Sequence, residues 1–187
     1  MRVGMLSLGC PKNLVDSEII LGKLDPREYR LVSSVADCDI ALVNTCAFIQ
    51  EAKQESIDRI MELIALKQSG NIRAIVVVGC LFQRFPRELR RSLGEVDAFL
   101  GSGEFEQIPQ ILAAVQKGHR IAKRGVPGYL MRSDEKRVAL TPKFYRYLKI
   151  SEGCDHRCSF CSIPLFRGPY RSRELDDVIC EAKQLIA

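Results

Sequence analysis

Cys154, Cys158 and Cys161 stand at C-x3-C-x2-C spacing in the string EGCDHRCSFC. Three soft thiolates within eight residues can wrap one corner of an iron-sulfur cubane and ligate three of its four irons. The fourth iron is then free of protein ligands, and a small molecule can coordinate there and receive an electron. Zinc is the competing metal, with His156 completing a Cys3His set. His156 lies between the first two cysteines with one residue on either side, which is tight for the loops that usually separate zinc ligands. Free structural cysteines in a glycine-flanked loop are a third reading.

Cys10, Cys46 and Cys80 end the strings SLGC, LVNTC and VVGC, each at the carboxyl end of an apolar, β-branched run. Strands of a parallel sheet open their carboxyl ends on one edge, where α/β folds bind ligands, so cysteines 36 and 34 residues apart can converge there. Converged, they suit a soft metal or an iron-sulfur cluster. Unconverged, each is a small buried hydrophobe at a strand end. Cys38, between Asp37 and Asp39, and Cys180, on a helix, are expected to be structural.

These cysteines must be positioned by the surrounding elements. Residues 1–117 alternate apolar runs (3–8, 39–44, 74–79 and 98–101) with helical patterns (14–24, one after Phe48, 86–93 and 104–117), which is how βαβ units and a parallel sheet read in sequence. After Phe48 the residues Ile57, Ile60, Met61, Ile64 and Ala65 are expected on one buried helical face. Scattered Gly and Pro over 118–142 mark a linker. A new strand is expected over 145–150, then the cysteine loop, then a helix. That helix places Leu175, Val178, Ile179, Ala182, Leu185 and Ile186 on one face, with Glu174, Asp176 and Asp177 in its first turn. The expected organisation is therefore an α/β domain over 1–117, a basic linker over 118–142 and a second unit over 143–187.

With 187 residues, 47% apolar and 27% charged, the chain can bury a full core, and disordered, collagen-like and coiled-coil classes are excluded. The longest apolar run, 74–82, is too short to span a membrane, and the start of the chain lacks a signal-peptide pattern. With eight cysteines suited to a reducing compartment, a cytoplasmic location is expected. The net charge of +5 lies wholly in the last 87 residues, concentrated between Lys117 and Lys149. That stretch suits either an anionic partner or a solvated linker.

The strings SLGCPKNLVDSE, NTCAFI, VVGCLFQR and ISEGCDHRCSFCSIPLFRG, in this order, resemble the methylthiotransferases of the radical S-adenosylmethionine superfamily over essentially the whole chain. The segment Pro11-Lys12-Asn13-Leu14-Val15-Asp16 resembles the branch that modifies an aspartate of a small-subunit ribosomal protein. The branch acting on tRNA adenosine, the alternative, usually has a glutamine-methionine pair there. The resemblance implies two 4Fe-4S clusters, an auxiliary one on Cys10, Cys46 and Cys80 and one on Cys154, Cys158 and Cys161. It also implies S-adenosylmethionine as cofactor and an electron donor such as a reductase, flavodoxin or ferredoxin. By the same resemblance, Phe160 lies against the adenine; its alternative role is loop packing.

The family continues into a long β/α barrel and a small C-terminal domain. Residues 143–187 supply only the first strand, cluster loop and helix of such a barrel, so the expectation is an incomplete and, alone, inactive radical enzyme. A non-catalytic, metal-stabilised binding module is the reading from another class.

Overall fold

The computed structural model describes residues 1–186. Its first part is a six-stranded sheet built from β1 (Arg2–Ser7), β2 (Arg30–Val32), β3 (Ile40–Thr45), β4 (Ala74–Gly79), β5 (Ala98–Leu100) and β6 (Ile121–Lys123). The strand order is β2-β1-β3-β4-β5-β6, and every pairing is parallel. The connecting helices are α1 (Pro11–Gly22), α2 (Gln50–Gln68), α3 (Cys80–Arg84), α4 (Pro86–Ser92) and α5 (Ile108–Gln116).

Every residue of β3 and β4 is buried, because helices cover both faces of the sheet. Side chains alternate between those faces. Ala41, Val43, Ile75 and Val77 pack with Ile60, Leu63 and Ile64 of α2 and with Leu81 and Leu89 of α3 and α4. Ile40, Leu42, Val76 and Val78 pack with Ile20 and Leu21 of α1 and with Ile108 and Leu112 of α5. The helix after β1 and the helix after β3 thus lie on opposite faces. The order reverses between those two strands, and a crevice opens at their carboxyl ends.

Several sequence expectations change. Met61 is 51% exposed and Ala65 is exposed, while Leu63 and Ser56 are buried; the α2 face is turned so that Ser56, not Met61, looks inward. The stretch expected as a linker contributes β6, paired with β5, so the sheet reaches Lys123. Residues 145–150 form no strand. Only Ser151–Glu152 (β7) is extended and paired, antiparallel to Arg171–Ser172 (β8), because no strand lies beside residues 143–150 to complete a ladder.

Residues 124–142 form a strap laid over α1. Met131 is buried against Val15 and Ile19, and the Tyr129 ring meets Phe105 edge-on at 5.4 Å. The Val138 N–H donates to the Glu18 carbonyl at 3.0 Å, and Lys23 pairs with Glu135 at 2.5 Å. Gly22 has no side chain because the Lys136 carbonyl lies where a Cβ would project. Arg137 extends from the strap between Glu18 and Glu181, and Glu181 also pairs with Arg173. Two of the cations between Lys117 and Lys149, Arg137 and Lys149, are thus consumed by buried ion pairs within the chain.

After β7 come α6 (Ile163–Arg167), β8 and α7 (Leu175–Ile186). Helix α7 is held by its polar side, and Leu175 and Ile186 on its apolar face are 72% and 86% exposed. Among the described residues no helix is long and apolar enough to cross a membrane.

The polar hold on α7 is pH-sensitive. Hydrogen bonds from Ser133, reinforced by Arg173, hold the Asp177 carboxyl at about 2, below its ordinary 3.8. A depressed pKa stabilises fully above the ordinary value and is lost as pH falls toward the folded value. Protection factors of the amides across residues 175–186, corrected for the intrinsic pH dependence of exchange, are expected to fall between pH 4 and pH 2, and those of Asp177→Asn to be lowered already at pH 7. Equal protection in the variant and the parent at pH 7 would refute this tether.

Candidate functional site

The crevice at the carboxyl ends of β1, β3 and β4 receives three thiols. Cys10 is the N-cap of α1, Cys46 follows β3, and Cys80 opens α3 directly after β4. Cys10 is exposed, whereas Cys46 and Cys80 are buried. Gly9, with φ of +87°, brings the first loop against the second: a Cβ there would lie 2.5 Å from the Cys46 Cβ and 2.9 Å from its Sγ. The Cys46 N–H donates to Ser56 Oγ at 3.2 Å, which is why Ser56 faces inward from α2.

Asn13, in the first turn of α1, joins the three loops. Its Nδ2 donates to the Leu8 carbonyl at 2.9 Å and to the Thr45 carbonyl at 3.0 Å. Its Oδ1 lies 4.0 Å from the Cys10 Sγ and 3.9 Å from the Cys80 Sγ. Burial pushes the Cys80 thiol up to about 12, with the charge of Arg167 opposing the rise.

A cavity of about 620 Å³ opens over these thiols and is also lined by Cys154. Its walls are apolar where Phe48, Ile49, Ile163 and Phe166 stand, and polar where Lys12, Glu152 and Arg167 enter. One side of this space therefore belongs to the sheet, the other to the cysteine loop. The loop is pinched shut by the Cys154 N–H donating to the Gly168 carbonyl at 3.1 Å.

Beneath the cavity is a buried group of four charges. Lys149 Nζ lies 2.5 Å from Asp16 Oδ1 and 2.8 Å from Glu152 Oε1, while Arg167 Nη1 lies 2.7 Å from Asp16 Oδ2 and 3.2 Å from Glu152 Oε1. All four are under 10% exposed. Burial works against the Asp16 carboxylate, but the two cations outweigh it and its pKa falls below the ordinary value. Two acids against two bases leave the group neutral. Removing one member leaves an unpaired buried charge, at a cost of roughly 3–5 kcal/mol.

Of the residues singled out from sequence, Cys10, Cys46, Cys80 and Cys154 line one cavity, whereas Cys158 and Cys161 do not. Cys158 is exposed and Cys161 half-buried, on a turn closed by the Cys161 N–H to the Cys158 carbonyl at 3.1 Å. Among the described residues no three Cys, His, Asp or Glu side chains close on a single metal ion, and His156 is exposed. A single zinc needs every sulfur about 2.3 Å away. A cubane takes each thiolate on a different iron and so suits more widely spaced donors. Phe160 is 87% exposed, with little of its ring packed against the loop. Cys38 is buried with its Sγ 3.0 Å from the Val35 carbonyl, and Cys180 is exposed on α7; neither touches the cavity. Sequence reading missed Asn13, Asp16, Lys149, Glu152 and Arg167. The available signal was charge inside apolar surroundings, as in YLKISE and PLFRG.

The fold and the site define an α/β protein that gathers thiols from three strand ends into one crevice and faces them with a second cysteine loop. The chain belongs to the family described as uncharacterized protein family UPF0004, whose profile matches residues 2–101. It is similar to proteins named ribosomal protein uS12 methylthiotransferase RimO. That of Pelotomaculum thermopropionicum is 46% identical over 99% of this chain and 42% of its own length. That of Myxococcus xanthus is 49% identical over 97% and 38%, and that of Geobacter sulfurreducens 45% identical over 100% and 42%. The chain thus spans about two fifths of the length of these curated relatives. The sequence resemblance to methylthiotransferases is matched by these names.

Burial and the raised Cys80 thiol make a graded set of reactivities. In metal-free protein at pH 8, iodoacetamide is expected to label the exposed Cys10, Cys158 and Cys180 first and Cys80 more than about 100-fold more slowly, since only the thiolate reacts. Peptide mass spectrometry over time reads this directly. Labelling of Cys80 at the rate of Cys158 would mean that the crevice is open.

Proposed function

We propose that this chain supplies the thiol-bearing part of a radical S-adenosylmethionine methylthiotransferase whose substrate is an aspartate of ribosomal protein uS12. The observation that carries this reading is the shared cavity, in which Cys10, Cys46 and Cys80 meet Cys154. The names of the relatives favour uS12 over tRNA.

In this reading Cys10, Cys46 and Cys80 hold one 4Fe-4S cluster and Cys154, Cys158 and Cys161 a second, each leaving one iron without a thiolate. The donor sets fit: each is three soft sulfurs on loops at strand ends, and neither offers a fourth protein sulfur. When bound, such clusters supply one-electron reduction of S-adenosylmethionine and a place to hold sulfur before its methylation.

The chain's own residues bind and exclude. Ligation requires thiolates, so Cys80, protonated at neutral pH while the site is empty, must give up its proton as metal enters. Phe48, Ile163 and Phe166 give the cavity apolar walls, and Asn13 fixes the spacing of the three loops. Phe160 is free to lie against an adenine ring. A reductase, flavodoxin or ferredoxin serves as electron donor.

Anaerobic reconstitution is expected to give about eight irons per chain as two cubanes. Changing Cys10, Cys46 and Cys80 together to Ala should remove about half, and Cys38→Ser and Cys180→Ser none. A colourless protein that holds zinc would point instead to a metal-stabilised binding module. Loss of the methylthio group on uS12, read by mass spectrometry in cells lacking the gene, tests the substrate.

A further inference from the structure

Arg167 ends α6, six residues after Cys161, and is 7% exposed. Its guanidinium does not serve its own loop. One nitrogen donates to Asp16 and Glu152, and the other donates to the Oδ1 of Asn13. That same amide oxygen faces the thiols of Cys10 and Cys80. Because the Asn13 Nδ2 is fixed on the Leu8 and Thr45 carbonyls, the amide cannot turn over, and its oxygen is caught between guanidinium and thiols.

An amide oxygen suits neutral S–H groups but opposes thiolates. A cation bonded to it offsets that opposition. Arginine is suited to the position because its planar fork reaches three acceptors at once, which an ammonium cannot do in one geometry. A buried ion group is weak evidence for stability, since apolar packing of the same volume often serves as well.

We propose that Arg167 is a positioning residue of the Cys10, Cys46 and Cys80 site: it holds the Asn13 oxygen between two of the thiols and sets a positive charge beside an anionic cluster, raising that cluster's reduction potential. The proposal rests on the cluster reading above. It makes the loop of the second cysteine group part of the electrostatic environment of the first. Cluster potentials respond to nearby charge and hydrogen bonding, and a cation favours the reduced, more negative state.

The test uses the full chain with Cys154, Cys158 and Cys161 changed to Ala, reconstituted with ferrous iron and sulfide so that only the N-terminal site loads. Iron content and an EPR-monitored midpoint potential are compared for Arg167, Arg167→Gln and Arg167→Lys. The expected result is about four irons in each, a more negative potential in Arg167→Gln, and recovery of most of the shift in Arg167→Lys. A role confined to folding would lower iron content and melting temperature without moving the potential of the loaded fraction. An unchanged potential in iron-loaded Arg167→Gln overturns the proposal and leaves the cluster reading intact. A parent protein that takes up no iron overturns the cluster reading, and the proposal with it. If Arg167→Gln does not fold, the pair Arg167→Gln with Glu152→Gln is measured against Glu152→Gln alone, and a negative shift relative to that reference is required.

Discussion

The juxtaposition of the two cysteine groups depends on a neutral cluster of four buried charges. Asp16 belongs to α1, packed on the sheet; Lys149 precedes β7 and Glu152 ends it; Arg167 ends α6. Apolar packing contributes at α6, where Phe166 is buried in the core cluster beside α3. Segment 143–150 leaves Leu148 and Ile150 substantially exposed, so hydrophobic burial alone would not fix where the cysteine loop sits. Ion pairs are directional, and those of Arg167 and Lys149 determine both distance and orientation. The cost of desolvating four charges is met only because each has more than one partner.

The sheet provides the other half of the arrangement through ordinary packing. Two central strands buried on both faces fix the register of their neighbours, because a slip of one residue would exchange the face of every side chain. The carboxyl ends of β1, β3 and β4 therefore have fixed relative heights, and the cysteines that follow them inherit those heights. Asn13 adds a short polar link between loops that packing has already brought close.

The sequence made legible what repeats locally. The runs of β3 and β4, the strand-end positions of Cys10, Cys46 and Cys80, and the apolar stripe of α7 all follow from periodicity over a few residues. β2 and β6 did not show because each is only three residues with a charged residue at one end, unlike the wholly apolar β5. Met61 and Leu63 exchanged roles because a helical stripe wide enough for either does not say which edge meets the sheet. Asp16, the partner that Lys149 and Arg167 share besides Glu152, lies 133 and 151 residues away, and nothing local encodes it. The basic stretch read equally well as a solvated linker or as a docking segment. The structure instead spends part of its charge inward, at Arg137 and Lys149.

The close passage of the strap over Gly22 links the end of α1 to a helix with which it shares no direct bond. The strap carries Arg137, and Arg137 holds Glu181 of α7. A single methyl group at position 22 would collide with the Lys136 carbonyl and lift the strap, and the displacement would be delivered to α7 as a loss of leverage on its anchoring carboxylate. The absence of one carbon atom therefore acts as a clearance tolerance, and the alignment of a distant helix is gauged by it.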